Sequence, residues 1–361
     1  MPHAIPIEPP PPARASSRAG RKDPPREFSP GRPSTNLLLF FATLFTVFIC
    51  TTPIGFAPLA MTHTLSQSAV FVCALMGILM AHELGHYILG RVHRIELTLP
   101  YFIPIPFAFG TMGAVIRMKQ INKRRALLDV GAAGPLAGMM LAIPYAIAGL
   151  ALSDVRPLPD GPTMILGDSL LFKGLVTLMK GPIPEGSDVF LHPLALAAWF
   201  GFLVTALNLM PASQLDGGHI TKAMFGRRHT LLSKIVFMGL ALYGSLGDAL
   251  LTDPWLLATG LPYAAAATYL VTVASPPKFG RRLLFGLFLA HLFFSAYLAV
   301  DTVSTPWLLW SVLLYTFRLE HPPIKDADVP LGRWRRIMGW VTMVLFVLTF
   351  TPMPIHMVAA S

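Results

Sequence analysis

The chain has 361 residues, 54% of them hydrophobic and only 13% charged, with a mean hydropathy of +0.60. A soluble domain carries about 25% charged residues, so the composition excludes one and points to an integral membrane protein. Two cysteines, Cys50 and Cys73, lie in apolar stretches with neither a zinc-ligand spacing nor a disulfide framework, and read as small buried hydrophobes. The net charge of +10 raises the question of nucleic acid, which the placement of the charges answers below.

Residues 1–34 are rich in Pro, Arg and Ser, as in Pro9-Pro10-Pro11-Pro12, and are expected to form a disordered basic arm. No apolar segment with a small-residue cleavage site follows, so the arm does not read as a cleavable signal. Apolar stretches then recur at 36–56, 68–91, 126–152, 190–212, 231–249, 254–275, 282–302, 304–319 and 336–354. With the N-terminus in the cytosol and nine spans, 25 of the 28 Lys and Arg residues fall on the cytosolic side. Only Arg156, Lys173 and Lys180 fall outside, where Asp154, Asp160, Asp168, Glu185 and Asp188 gather. That asymmetry is what the positive-inside rule expects. Topology and anionic lipid therefore account for the basic charge, and no nucleic-acid partner is expected.

The second apolar stretch contains His82-Glu83-Leu84-Gly85-His86. Residues four apart share a helix face, so both imidazoles can hold one Zn²⁺ with the glutamate beside it as general base. Chance supplies about 0.005 such patterns in this composition. An ionisable residue within a membrane span costs about 3 kcal/mol and marks function by default. His82 lies nine residues before Arg91, or about 14 Å along a helix. The metal is thus expected within the membrane but reachable from the cytosol.

Next comes the stretch from Leu99 to Met118, apolar enough to span but broken by Pro100, Pro104, Pro106, Gly110 and Gly113. Prolines and glycines at this density disfavour a helix, and a re-entrant β-hairpin with Met112–Met118 as its strand is expected. A helical substrate hides its peptide bonds and must unwind before attack. An edge strand here, carrying Gly113, Ala114, Val115 and Ile116, can hold it by strand addition. In the third span, Gly134 and Gly138 are expected to let helices approach closely, and Asp129 to cap the helix start.

A catalytic zinc commonly takes three protein ligands and leaves one position for water. Asp216 fits the third place, after Pro211 breaks the fourth span, with Gly217-Gly218 allowing a sharp turn. His219, three residues on, is near enough to support it. The two patterns together, HExxH at 82–86 and Asn208 through Pro211 to Asp216-Gly217, resemble the site-2 protease family of intramembrane zinc metalloproteases. The resemblance covers about residues 68–220. It implies His82, His86 and Asp216 as zinc ligands, Glu83 as the base and Asn208 near the substrate or oxyanion. It also likens the 99–120 segment to the family's membrane-associated β-loop. No interior loop is long enough for a PDZ domain, so a compact form is expected.

The fold class expected is thus an all-α polytopic membrane protein of about nine transmembrane helices with one small re-entrant β-hairpin. Residues 1–34 form the arm, 35–230 the metalloprotease core with the β-loop at 99–120, and 231–361 further helices without a readable motif. The expected function is cleavage of transmembrane segments of other proteins in a plasma or inner membrane, with one Zn²⁺ per chain. The rival is a metal transporter or non-proteolytic metal-binding membrane protein. Transporters show paired repeats and acids on several spans, and neither is evident here.

Overall fold

A computed structural model describes residues 29, 31–52, 64–106, 109–159, 161, 163–246, 254–272, 279–297, 305–316 and 319–358. The expected basic arm lies almost wholly outside these residues. Eleven helices and six short strands are described. Three helices are long and apolar enough to cross a membrane: α1 (Pro33–Thr51), α2 (Leu65–Val92) and α3 (Arg124–Ala151). The others are α4 (Leu170–Lys180), α5 (Pro193–Leu209), α6 (Asp216–Phe225), α7 (Arg228–Leu246), α8 (Pro254–Thr272), α9 (Gly280–Tyr297), α10 (Thr305–Thr316) and α11 (Arg333–Thr349). Nine of the eleven coincide with the nine apolar stretches; α4 and α6 are additions. The fold is mostly helical, and three two-stranded antiparallel sheets accompany the helices where the sequence predicts a single hairpin.

The local signals that start the helices are ordinary ones. Thr64 caps α2 by accepting the Gln67 N–H at 3.2 Å, and Ser169 caps α4 by accepting that of Phe172 at 3.2 Å. Pro33 and Pro193 sit in the first turns of α1 and α5, where a missing N–H costs nothing. α3 runs on through Pro135 and Pro144. Its neighbours hold it in place, as tertiary packing can in an apolar bundle.

α2, α3 and α5 pack into the main core, with Phe71, Leu75, Leu150, Trp199 and Phe202 fully enclosed. Small residues set the spacing, as expected where apolar burial alone cannot drive helices together. A Cβ on Gly85 of α2 would stand 2.7 Å from the Ala133 carbonyl carbon of α3, and one on Gly149 of α3 only 2.6 Å from Ala195 Cα of α5. α7, α8, α9 and α10 build a second cluster around Phe237, Tyr263 and Trp307. The chain then returns: Met338, Met343 and Phe346 of α11 pack against Ala132, Leu209 and Ile220 of the first unit.

β1 (Tyr101–Pro104) and β2 (Thr111–Val115) form the expected hairpin, pairing Tyr101 with Val115 and Phe102 with Ala114. β2 is shorter than foreseen: Ile116 falls beyond it, and Met118 only bridges Leu97. A register shift between Phe102 and Pro104 interrupts the pairing, at a proline that lacks a ladder donor. α1 is stitched to the hairpin. Buried Asn36 donates from Nδ2 to the Leu99 and Pro100 carbonyls at 3.0 and 2.9 Å, and Thr46 Oγ1 donates to the Gly110 carbonyl at 2.7 Å. The stretch between α3 and α5 holds β3 (Asp154–Pro157), β4 (Thr163–Leu166), β5 (Ser187–Phe190) and α4. β3 pairs with β5, and β4 with β6 (Ile355–Val358) at the far end of the chain. Cys50 is buried, but Cys73 is exposed on α2, against expectation; apolar side chains on the outer face of a packed helix stay accessible.

Candidate active site

α2 places His82 and His86 one above the other, with Glu83 beside them, and all three are buried. Across from them, α5 ends at Leu209 and the chain loses helical form from Met210 to Leu215, where Pro211 cannot donate an N–H. Ser213 takes φ +57° in this turn. α6 then starts at Asp216, whose carboxylate projects to the two histidines. Gly217 and Gly218 do not make the turn, as the sequence suggested. They lie within α6, pressed against the segment before it: a Cβ on Gly217 would meet the Met210 carbonyl oxygen at 2.5 Å, and one on Gly218 that of Ala212 at 2.6 Å.

The three ligating atoms form a nearly equilateral triangle. His82 Nε2 is 3.1 Å from His86 Nε2, and each is 3.2 Å from Asp216 Oδ2. Four donors at about 2.0 Å around a tetrahedral zinc stand about 3.3 Å apart, so this triangle is one face of such a polyhedron. Two imidazole nitrogens and a carboxylate oxygen are also the donors that zinc takes in catalytic sites. His86 Nδ1 donates to the Val130 carbonyl at 2.8 Å, which fixes the tautomer and leaves Nε2 as the free lone pair. The residues present therefore fit the metal that the sequence pattern implies. Asn208 Nδ2 lies 3.4 Å from His82 Nε2, on the rim of the same triangle. No Lys or Arg forms an ion pair with Glu83 among the described residues.

α3 forms the wall behind the triangle. A Cβ on Gly134 would stand 2.5 Å from His86 Cε1, and one on Gly138 would stand 3.3 Å from His82 Cβ. The two glycines thus make room for the ligands themselves. β2 also packs against α2.

Two clusters escaped sequence reading. Asp129 does not cap α3, which starts five residues earlier. It is held bidentately by Arg335 of α11, with Nε at 2.8 Å from Oδ1 and Nη2 at 2.8 Å from Oδ2, and His93 Nε2 lies 2.9 Å from Oδ2. The partners are 206 residues apart, and no local pattern announces them. Asp129 precedes Val130, whose carbonyl anchors His86. The second cluster joins His219 to His321: Nδ1 of the first is 2.9 Å from Nε2 of the second. His321 donates from its own Nδ1 to the Pro322 carbonyl at 2.8 Å, so its Nε2 is the acceptor. Burial lowers the His321 pKa below the usual imidazole value and favours this neutral form. His219 thus supports Asp216 only through packing and the shared helix; its own hydrogen bond points away.

A buried His-His-Asp triangle with an adjacent glutamate, set among apolar helices, defines the class of membrane zinc metallopeptidases. The family model for Peptidase family M50 matches residues 70–245, and the chain belongs to that family, the site-2 protease family. It is 35% identical over 285 residues to probable zinc metalloprotease EGY1, chloroplastic, of Arabidopsis thaliana, covering 77% of this chain and 41% of the relative. It is 38% identical over 180 residues to probable zinc metalloprotease EGY2, chloroplastic, of Oryza sativa subsp. indica, covering 49% and 32%. A third relative, probable zinc metallopeptidase EGY3, chloroplastic, of Arabidopsis thaliana, is 26% identical over 250 residues, covering 62% and 43%. The chain thus spans about two fifths or less of the length of the first two. No solved structure matches it.

Proposed function

We propose that this chain is an intramembrane zinc endopeptidase that cuts transmembrane segments of other membrane proteins. The observation that carries the reading is the triangle of His82, His86 and Asp216, with sides of 3.1 to 3.2 Å, buried among apolar helices. Zinc held there supplies a water of lowered pKa and positive charge for the developing oxyanion. Glu83 takes the proton of the attacking water and passes it to the leaving amine. The Val130 carbonyl keeps the His86 imidazole aimed while this happens. Asn208 offers Nδ2 to the substrate carbonyl oxygen as it becomes an oxyanion.

A helical substrate must be opened before attack. β2 pairs with β1 along one edge of a two-stranded sheet and lies against the helix that carries Glu83. Its other edge receives the unwound segment along Gly113, Ala114 and Val115, with Ile116 just past the strand. Nine helices span the bilayer, the hairpin enters it without crossing, and the basic ends of the helices face the cytosol of a plasma or inner membrane. The named relatives are chloroplast proteins; in such an organelle the same charges set the orientation. Residues 35–230 make the protease core, and α11 completes it from the 231–361 segment. The 1–34 arm contributes charge at the membrane surface.

The test compares membranes from cells holding the parent chain or Glu83→Gln. New protein termini should appear inside transmembrane segments only with the parent, while the purified variant keeps its zinc. Termini confined to soluble regions would remove the intramembrane reading. Cysteine labelling at residues 170 and 225 should find them on opposite sides of the membrane; the same side for both would break the nine-span arrangement.

A further inference from the structure

The basic end of α11 carries Arg333, Arg335 and Arg336, and only Arg335 is engaged by Asp129. Arg336 is exposed and lines a cavity of about 420 Å³ together with Arg124, Met224, Phe225, Leu331 and Trp340. The cavity sits where the start of α3, the end of α6 and the start of α11 converge. Arg124 is locked in place by backbone carbonyls: Nε donates to Ala223 at 2.6 Å, and Nη1 to Ala327 and Val329 at 3.0 and 3.1 Å. Neutral carbonyls satisfy its donors and leave its charge. Asp326 accepts the Arg124 backbone N–H at 2.6 Å and offsets part of that charge. No carboxylate forms an ion pair with Arg124 or Arg336 among the described residues.

The rest of the cavity is apolar. Phe225 and Trp340 meet edge to face with ring centres 5.9 Å apart, and Leu331 is buried. From the cavity's Trp340, Trp334, Ile337 and Val341 continue an exposed apolar face, Trp340 at 56%. Tryptophans at this level of a helix belong to the membrane interface, where one side of the ring is wet and the other apolar. Two guanidiniums beside such a face match one kind of ligand: a phosphate joined to hydrocarbon. The Arg336 fork takes phosphate oxygens in pairs, which an ammonium cannot do.

We propose that this cavity binds the headgroup of an anionic glycerophospholipid, with its acyl chains along the exposed face of α11. Phosphate contacts the Arg336 guanidinium and is drawn by the Arg124 charge, and the glycerol backbone lies over Phe225 and Trp340. The lipid joins three helix ends, including that of α6, the helix that begins with Asp216. It is one discrete site, distinct from the diffuse attraction of a basic surface.

The full chain, purified in detergent and stripped of lipid, can be titrated with phosphatidylglycerol or phosphatidylcholine and read by native mass spectrometry. The parent should retain one phosphatidylglycerol in preference to phosphatidylcholine. Arg336→Gln should weaken phosphatidylglycerol by about fivefold, the factor for one basic group of ~1 kcal/mol, and leave phosphatidylcholine unchanged. Arg333→Gln removes an equal charge outside the cavity and should change binding less than twofold. Equal losses in both variants would overturn the proposal in favour of general surface attraction. Inorganic phosphate binding as tightly as the lipid would also overturn it, making the occupant a free anion. Should Arg336→Gln not stay monodisperse, Arg336→Lys keeps the charge and loses the fork. A loss of twofold or more in that variant supports the site, and undiminished affinity refutes it.

Discussion

Gly134→Ala adds one methyl group to a wall of the zinc site. A Cβ at this position overlaps His86 Nε2, the ligating nitrogen, and stands 2.5 Å from Cε1 and 2.6 Å from Cδ2, where ordinary contact begins at 3.4 Å. The backbone of α3 is pinned by its packing on α2 and α5, so the imidazole must retreat by more than 0.9 Å, the difference between 3.4 and 2.5 Å for Cε1 alone. Retreat also strains the 2.8 Å bond from His86 Nδ1 to the Val130 carbonyl. Zinc–nitrogen distances hold to about ±0.2 Å, so His86 ceases to be a good ligand. The helix itself does not suffer, since alanine is the better helix former by about 1 kcal/mol. Loss of an oriented ligand should therefore appear as at least ~100-fold weaker zinc binding, about 2.7 kcal/mol, in a chain that keeps its helicity. The matched control is Gly138→Ala, whose Cβ stands 3.3 Å from His82 Cβ and needs a shift of only 0.1 Å. The assay is competition for zinc between the purified chain and a chelator of known affinity, with circular dichroism as the check on folding. Parent-like affinity in Gly134→Ala would refute the assignment of Gly134 to the ligand wall, and an equal loss in Gly138→Ala would refute clearance as the quantity that sets zinc affinity.

Further predictions concern the ligand set, the strand and the tie between distant elements. Asp216→Ala should lose both zinc and activity, since two imidazoles alone under-ligand the metal; one zinc per chain at unchanged affinity would place the third ligand elsewhere. Val115→Pro should slow cleavage of a rigid helical substrate tenfold or more while zinc stays bound, because proline removes a backbone donor from β2. A substrate loosened by Gly or Pro near its cut site should suffer less, and equal rates on both would make the hairpin a bystander. Arg335→Gln should lower stability by about 1–3 kcal/mol, below the value for a fully buried pair because the arginine side chain is 35% exposed. A thermal midpoint in detergent unchanged within a degree would show that Asp129 does not need this partner.

The sequence by itself determined the metal chemistry and nine of the eleven helices described. HExxH is a local pattern: a 3.6-residue period places His82 and His86 on one face without help from the rest of the chain. The nine helices follow from apolar stretches long enough to span, and Asp216 from the break at Pro211. The hairpin was legible because prolines forbid the helix that its hydropathy would otherwise favour. Tertiary structure decided what depends on distant partners. Gly217 and Gly218 read as turn residues until the close carbonyls of Ala212 and Met210 show that they are packing residues. Asp129 reads as a cap until α11 brings Arg335 to it across 206 residues. The tautomer of His86 rests on the Val130 carbonyl, a backbone atom that every residue carries and no sequence pattern can flag. β4 finds β6 nearly two hundred residues away through backbone hydrogen bonds that encode no side-chain identity. Periodicity is a property of neighbouring residues along the chain, whereas these contacts depend on how the helices are brought together in space.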